Sequence, residues 1–358
     1  MNITIIVDDF HGGAGNIAQL LATELSKKNK VNLILTNKHS EPRYELNGIC
    51  LYDDKMSVTR RNKIAGLNSC IKRMKKRILS IHSDLVISFL DNNNTIACFA
   101  LWNEENIPII VSERSNPVVI YPKFPWNYLR RIAYQRANVV TVQFDVFKEF
   151  DKKRFIEKCE VTSNIVEKPM YIKKDWSCTK ARFVTFGRLA PVKRMDLMIK
   201  LFAKAARKAD DIELHIWGDG PEKENLNKLI EQEKMAGRII LKGYNNQVHE
   251  TLLEYDAYLM TSYQEGFPNS LCEAMAVGLP SVSFMCHTGI LELTEDNTAG
   301  FTVAVNQEDE FVEKIIVLAV NEEMREKMGK AAQKIVIRYE KSQIMNQWNK
   351  CIERAIMK

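Results

Sequence analysis

The chain has 358 residues, of which 46% are apolar and 27% charged, with a net charge of +6. This length exceeds what one hydrophobic core usually serves and predicts two domains, and so modest a charge makes the location of the basic residues matter more than their total. No run approaches the roughly 18 consecutive apolar residues of a membrane-spanning helix, and the opening MNITIIVDDF, with Asp8 and Asp9 and neither a basic n-region nor a small-residue cleavage site, does not read as a signal peptide. The eight cysteines are scattered without C-x-x-C or paired Cys/His spacing, which argues against a zinc site and for a reducing compartment.

In chain order, the β-branched run ITIIV leads through DDFHGGAGN into IAQLLATELSKK, whose apolar residues recur at helical spacing. VNLILT, SDLVISFL, IPIIVSE and ANVVTVQ follow as further continuous apolar runs. Continuous rather than alternating apolarity suits strands covered on both faces, hence a parallel sheet. The periodicity fades at SNIVEKPMYIKKDWS, around Pro169, and then restarts. ARFVTFGRL, IELHIWGDG, IILKGY, AYLMTS, SVSF and GFTVAV read as strands, separated by the helical patterns MDLMIKLFAKAARK, NLNKLIEQEKM, VHETLLEYD and the segment after EGFPNS. A long helix from Phe311 to about Tyr339 and a last one, SQIMNQWNKCIERAI, complete the chain. Each half alternates β and α, as doubly wound Rossmann-like domains do. Domains are expected at 1–165 and 166–341. Ligands of such sheets bind beyond the carboxyl ends of the strands, so two of them predict an interdomain cleft lined by strand-end loops.

Those loops carry the candidate chemistry. In GRLAPVKRMD, Gly187 allows a tight turn and Arg188 and Lys193 stand before a helix, a combination suited to clamping a diphosphate; the alternative is a solvated basic loop. In WGDGPEKENL, Gly218 and Asp219 form a strand-to-helix turn whose backbone could pass near a base or ribose. Tyr244, in LKGYNN, could pack over a nucleobase edge or be a half-buried loop aromatic. EGFPNSLCEAMAVGLP combines most. Asn269 or Ser270 can cap a helix starting near Leu271, which Gly278 and Pro280 end. Gly266 permits close backbone approach. Glu265 can accept hydrogen bonds from sugar hydroxyls, and Glu273, expected in the first helical turn, can take both hydroxyls of a ribose. Each acid alone could be an ordinary surface charge. Of the histidines, His11 beside the glycine pair and His287 in a strand-end loop could meet substrate, whereas His215 reads as a core residue.

Together, the E-x7-E spacing of EGFPNSLCEAMAVGLP, GRLAPVKRMDLMIK and WGDGPEKENL resemble the retaining glycosyltransferases of family four, which have the GT-B fold. The likeness covers most of the second half. FHGGAGN is similar to the family's glycine-rich loop, with GGAGN where GGAER is usual; SDLVISFL and IIVSERSNP resemble members that build bacterial surface polysaccharides and lipid-linked oligosaccharides. Many relatives have histidine where this chain has Arg114.

The resemblance implies that Arg188 and Lys193 hold the diphosphate and stabilise the departing nucleotide, and that Glu273 holds the ribose. Glu265, with the backbone of Gly266, Phe267, Pro268, Asn269 and Ser270, would hold the donor sugar, while Gly12 and Gly13 approach the phosphates. It also implies that the last helix, about 342–358, returns to the first, acceptor-side domain while the second binds the nucleotide sugar. The expected reaction moves a hexose or N-acetylhexosamine, from UDP in preference to other nucleotides, to a polyprenyl-diphosphate-linked or other membrane-associated glycan acceptor. Preorganised cations and a helix start would lower the barrier electrostatically. No second carboxylate is placed with Glu265 for glycosidase-like displacement. With no D-x-D to hold a metal on the diphosphate, no essential metal or cofactor is expected.

Residues 57–77, SVTRRNKIAGLNSCIKRMKKR, hold eight Lys/Arg and no acid, with Ile64, Leu67, Ile71 and Met74 at helical spacing. YPKFPWNYLRRIAYQR adds aromatics between arginines. This reads as a basic amphipathic helix for the anionic cytoplasmic face of the inner membrane; the alternative is a helix packed on its own sheet. No recognised nucleic-acid-binding motif accompanies it. Two other readings are a GT-B-type nucleotide-sugar epimerase and a dinucleotide-binding oxidoreductase. The first wants acids placed to deprotonate sugar carbons. For the second, HGGAGN does not complete G-x-G-x-x-G.

Overall fold

Both β-sheets of the computed structural model are entirely parallel. The structure describes residues 1–10, 12–37, 41–54, 65–116, 124–149, 155–286 and 289–357, and the chain divides into two units, Met1–Ile165 with Ser342–Lys358 and Val166–Lys341.

In the first unit the strands are β1 (Asn2–Val7), β2 (Lys30–Leu35), β3 (Cys50–Asp53), β4 (Leu85–Phe89), β5 (Ile109–Ser112), β6 (Val139–Val142) and β7 (Cys159–Val161), in the order β3-β2-β1-β4-β5-β6-β7. Register is set at the centre, where Ile5 of β1 lies between Leu33 of β2 and Ile87 of β4. β4, β5 and β6 are buried at every residue, as strands covered on both faces require. Helices Gly12–Ser26, Ala65–Ile81, Asp91–Ala100, Trp126–Ala133 and Lys341–Ile356 follow in sequence. The last of these packs Trp348 against Phe89 (ring centroids 5.8 Å apart), and the Gln347 side-chain oxygen accepts a bond from the Ser163 N–H at 3.3 Å.

The second unit contains β8 (Ala181–Phe186), β9 (Ile212–Trp217), β10 (Ile239–Gly243), β11 (Ala257–Met260), β12 (Ser281–Phe284) and β13 (Phe301–Val303), ordered β10-β9-β8-β11-β12-β13. The Met195–Ala206 helix buries Leu197, Met198, Leu201 and Phe202, the last in edge contact with Phe183 of β8. The strand order reverses between β1 and β4 in one sheet and between β8 and β11 in the other. These reversals are where an open α/β sheet leaves its ligand crevice.

Three expectations about helices need correction. The expected helix from Phe311 to Tyr339 is two, Glu308–Val320 and Glu322–Val336, followed by a 3-10 turn. Asn321 leaves helical geometry and its side chain accepts the Met324 N–H at 2.8 Å, capping the second. The helix after EGFPNS spans Asn269–Val277, two residues earlier than expected, with Pro268 at the cap position and no side-chain capping bond, so neither Asn269 nor Ser270 caps it. Glu273 consequently lies in the second turn rather than the first. Gly278 ends the helix in the left-handed conformation, as expected.

Candidate active site

The loops that follow β8 and β11 meet at the reversal of the second sheet. After Phe186 the chain turns through Gly187 to a 3-10 turn, Pro191–Lys193, and Arg194 takes left-handed backbone angles (φ 49°) before the next helix begins. The start of the β11 loop holds this turn in place. The Thr261 hydroxyl is in donating range of the carbonyls of Lys193 (3.1 Å) and Arg194 (2.9 Å), and the Tyr263 N–H donates to Val192 O at 2.8 Å. Across the junction, Lys193 Nζ donates to Glu265 Oε1 at 2.6 Å. Side-chain exposure is 22% for Lys193 and 13% for Glu265, so little water screens the pair. Burial draws the lysine's pKa down, but the carboxylate beside it outweighs burial, and the net direction is up. Arg188, on the same loop, is exposed and forms no ion pair among the described residues.

The neighbouring loops are stitched to this one by main-chain bonds. Gly187 N–H donates to Trp217 O at 3.0 Å, Leu189 N–H to Asp219 O at 3.0 Å, and Gly218 N–H to Gly243 O at 2.7 Å. The approach explains Gly218: its φ is +137°, and a Cβ there would lie 1.9 Å from Gly187 O. Asp219 points to solvent, and the Gly220 N–H (2.8 Å) and Lys223 Nζ (3.2 Å) hold its carboxyl below the usual range. Tyr244, beyond β10, is 79% exposed.

Beyond Glu265 and Gly266, the side chains of Phe267 and Pro268 turn inward, with the Phe267 ring 5.4 Å from that of Tyr339. Only their backbone is available to a ligand. Ser270 is held by Tyr258, whose hydroxyl donates to its Oγ at 2.7 Å. Asn269 and Glu273 are half-buried on the same helix. The expected residues of the second unit thus lie on the loops and helix start after β8, β9, β10 and β11. Thr261, Tyr263 and Tyr258, which position them, were missed. Thr261 falls near the end of the expected strand AYLMTS and Tyr263 directly past it, the one signal that could have found them.

In the first unit, Gly12 and Gly13 form the opening turn of the Gly12–Ser26 helix rather than a loop ahead of it. Space is tightest at Gly15, where a Cβ would come within 2.6 Å of Asp9 O. At the reversal of this sheet, Asp8 beyond β1 accepts bonds from Asn93 Nδ2 (2.8 Å) and Thr36 Oγ1 (3.1 Å), and burial raises its pKa. His11 and His287 lie outside the described residues.

Arg114 is committed within the first unit. Its Nε donates to Ser112 Oγ (2.8 Å), Nη1 to Thr162 O (2.7 Å) and Asn164 Oδ1 (3.2 Å), and Nη2 to Thr162 Oγ1 (3.1 Å). The guanidinium carbon lies 5.4 Å from the ring centroids of Phe89 and of Trp348. Burial lowers its pKa to about 9. Glu113 beside it is equally buried: it accepts from the Tyr134 hydroxyl and lies 3.7 Å from Arg130 Nη1, and burial lifts its pKa to about 7.

The basic stretch 57–77 is described from residue 65, so Ile64 lies outside the described residues. In the Ala65–Ile81 helix, Leu67, Cys70, Met74, Ile78 and Ile81 are buried, and the helix packs on Asp91–Ala100. The apolar stripe thus packs within the first unit, as the alternative reading of this segment had it, which leaves only the basic face for a surface contact. Arg77 pairs with Asp54 (2.6 Å) and Lys75 with Glu104 (2.7 Å), leaving Lys72, Arg73 and Lys76 exposed. In YPKFPWNYLRRIAYQR, residues 121–123 lie outside the described residues. Arg130 is buried and Arg136 donates to the carbonyls of Leu101, Glu104 and Ile107, whereas Phe124 and Tyr128 are exposed. No described helix is long and apolar enough to cross a membrane.

Residues 172–335, nearly all of the second unit, match the family Glycosyl transferases group 1. Over 358 residues the chain is 26% identical to the GalNAc-alpha-(1->4)-GalNAc-alpha-(1->3)-diNAcBac-PP-undecaprenol alpha-1,4-N-acetyl-D-galactosaminyltransferase of Campylobacter jejuni, covering 98% of each. It is 25% identical over 330 residues to that organism's N-acetylgalactosamine-N,N'-diacetylbacillosaminyl-diphospho-undecaprenol 4-alpha-N-acetylgalactosaminyltransferase, covering 88% of each. Among solved structures it superimposes on Anabaena HepE in complex with UDP with a TM-score of 0.80 at 17% identity, covering 99% of this chain and 100% of that one. With two reversing parallel sheets, a Glycosyl transferases group 1 domain over residues 172–335 and full-length relatives that are glycosyltransferases, the chain is a glycosyltransferase with the GT-B fold.

Proposed function

We propose that the protein transfers a hexose or N-acetylhexosamine, with retention, from a UDP-sugar to a polyprenyl-diphosphate-linked or other membrane-associated glycan acceptor in bacterial surface-polysaccharide synthesis. The observation that carries this is the Lys193–Glu265 pair at the reversal of the second sheet, with Arg188 exposed on the same loop. Open sheets bind ligands at this place, and a nucleotide sugar presents the two chemistries the loops match, an anionic diphosphate and a hydroxylated ring. The second unit takes the donor and the first the acceptor. The full-length Campylobacter relatives, named for diphospho-undecaprenol-linked substrates, support the acceptor class, and the UDP complex of HepE supports the nucleotide.

Arg188, Lys193 and Glu265 form the reacting end of the site. Asn269, Ser270 and Glu273, with the backbone from Gly266 to Pro268, line the sugar and ribose side, while Gly218, Asp219 and Tyr244 line the nucleoside side. As the bond from the anomeric carbon to the phosphate oxygen breaks, negative charge gathers on the diphosphate and positive charge on the sugar ring. The fixed cation meets the first without reorganisation. The acceptor hydroxyl attacks from the leaving-group face, its oxygen bonds to the anomeric carbon, and its proton passes to a phosphate oxygen, so the configuration is kept.

The protein works at the cytoplasmic face of the inner membrane, drawn there by the basic face of the Ala65–Ile81 helix. Mass analysis of products from a panel of UDP- and GDP-sugars with a lipid-diphosphate sugar acceptor tests the reading, with proton NMR of the new anomeric centre. Addition of one hexose or N-acetylhexosamine in the α configuration is expected from an α-linked donor. An inverted product, or an isomerised nucleotide sugar, overturns it.

A further inference from the structure

We propose that Asp8 is a specificity-determining residue on the acceptor side: its free carboxylate oxygen accepts a hydrogen bond from a hydroxyl or acetamido N–H of a neutral acceptor sugar, and its charge turns anionic sugars away. This rests on the reading of the first unit as the acceptor side and deepens it.

Asp8 directly follows β1, one of the two strands that flank the reversal of the first sheet, where an open sheet receives its ligand. Its main chain is fixed: its carbonyl accepts the Asn37 N–H at 2.9 Å, and the Thr36 N–H donates to Val7 O at 3.0 Å. Its carboxylate is fixed as well, from both sides of β1. Thr36, just past β2, brings its hydroxyl to 3.1 Å from Oδ1, and Asn93, on the helix that follows β4, donates to the same oxygen from Nδ2 at 2.8 Å. Both braces are buried, and the Thr36 hydroxyl lies 2.9 Å from Asn93 Oδ1, so they also hold one another. Asp8 itself is half-buried, and its Oδ2 accepts no hydrogen bond among the described residues.

Both braces are neutral and both act on Oδ1. The amide oxygen of an asparagine could take the same two bonds, so the scaffold alone does not call for an acid here. What the acid adds is a second acceptor oxygen and a negative charge. No cation pairs with Asp8 among the described residues. The charges beside it are Asp9 and Asp91, and burial, joined by these acids, outweighs the two hydrogen bonds and pushes its pKa up. A half-buried anion among like charges lacks hydrogen-bond donors, and a neutral sugar supplies them. A carboxylate or phosphate set against Oδ2 adds one more like charge where water screens it only in part.

The test measures transfer from a UDP-sugar to prenyl-diphosphate-linked disaccharides ending in a neutral hexose, an N-acetylhexosamine or a hexuronic acid, for wild type, Asp8→Asn and Thr36→Val. Asp8→Asn keeps an oxygen for Thr36 and Asn93 but sets an amide nitrogen where Oδ2 stood. Thr36→Val keeps the carboxylate and loosens it. Circular dichroism and thermal melting establish folding. In wild type, kcat/KM for the hexuronic acid acceptor is expected to lie about tenfold or more below that for the neutral ones. Asp8→Asn is expected to raise KM for the neutral acceptors about tenfold and to narrow the gap to the hexuronic acid, while calorimetric affinity for UDP stays within about threefold. Thr36→Val raises the same KM about threefold. A wild type indifferent to the acid overturns the proposal without recourse to any variant. So does a folded Asp8→Asn whose acceptor KM is unchanged, or one whose UDP affinity falls as far as its acceptor affinity. A wild-type protein that neither binds UDP nor releases it from any UDP-sugar overturns the nucleotide-sugar reading. One that releases UDP but transfers to none of the acceptors overturns the acceptor assignment, and this proposal with it.

Discussion

The Tyr258 hydroxyl ties Ser270 to the end of β8: it donates to Ser270 Oγ at 2.7 Å and accepts the Phe186 N–H at 3.3 Å. The ring is buried, the bond from Phe186 forms away from water while that to Ser270 is part-buried, and burial raises the phenol's pKa. One side chain on β11 thus fixes the helix start against the strand that carries the Arg188 loop. Tyr258→Phe leaves the Phe186 N–H without this acceptor and is expected to cost about 1–2 kcal/mol. Thermal melting should show a loss of about 2–4 °C for each kcal/mol in a unit of this size.

Glu113 makes stability depend on pH. Burial lifts its pKa in the fold to about 7, from an ordinary value of 4.5, against the opposing pull of Arg130. The folded protein therefore holds this proton in a range where the unfolded chain has released it. The stabilisation is fully present below pH 4.5 and is lost as pH rises to about 7, a change on the order of 3 kcal/mol. Chemical denaturation from pH 4.5 to 8 should show Glu113→Gln gaining on the wild type as pH rises. A constant difference across that range would place the proton elsewhere.

Two arginines of the first unit separate buried from exposed contacts. Arg114 makes four hydrogen bonds between two rings, whereas Arg354 reaches Glu160 and the Glu157 carbonyl from a surface position. Arg114→Lys cannot reproduce the fork and leaves buried acceptors unpaired, a cost of about 2–4 kcal/mol. Arg354→Ala should cost no more than about 1 kcal/mol. Urea midpoints of the two variants check the order.

Membrane attachment should be electrostatic, because the apolar stripe of the Ala65–Ile81 helix is in the core and Lys72, Arg73 and Lys76 face outward. Replacing these three by glutamine is expected to remove about 1 kcal/mol of vesicle affinity for each. Co-sedimentation should fall with added salt for anionic vesicles and be absent for neutral ones. Equal binding to both, or none, removes the basic face as a membrane contact.

Most of the architecture was legible because strands buried on both faces announce themselves as apolar runs, as in LVISF and IIVS. Two strands were not. Cys50–Asp53 is a half-exposed edge strand and Cys159–Val161 has three residues, so neither produces a burial pattern in sequence. The break at Asn321 was readable from asparagine followed by two glutamates at a helix start, a local signal hidden by the apolar period on either side. Arg188, Lys193 and Glu265 could be singled out as loop residues. The bond between Lys193 and Glu265 could not, since it depends on the crossover that sets β8 beside β11. Arg114 likewise gave no local sign of its three partner residues, Ser112 at the end of β5 and Thr162 and Asn164 in the segment after β7.

The loops around Gly187, Gly218 and Gly243 are joined through peptide groups, with Phe186, Trp217 and Lys242 stacked at the strand ends just before them. Apart from the glycines that permit the close approach, positions such as Asp219 and Tyr244 are under no obligation to hold that platform together. On the proposed reading, in which these two line the nucleoside, exchanging them would retune which nucleoside is preferred without disturbing the scaffold, and altered donor choice would be reachable by single substitutions.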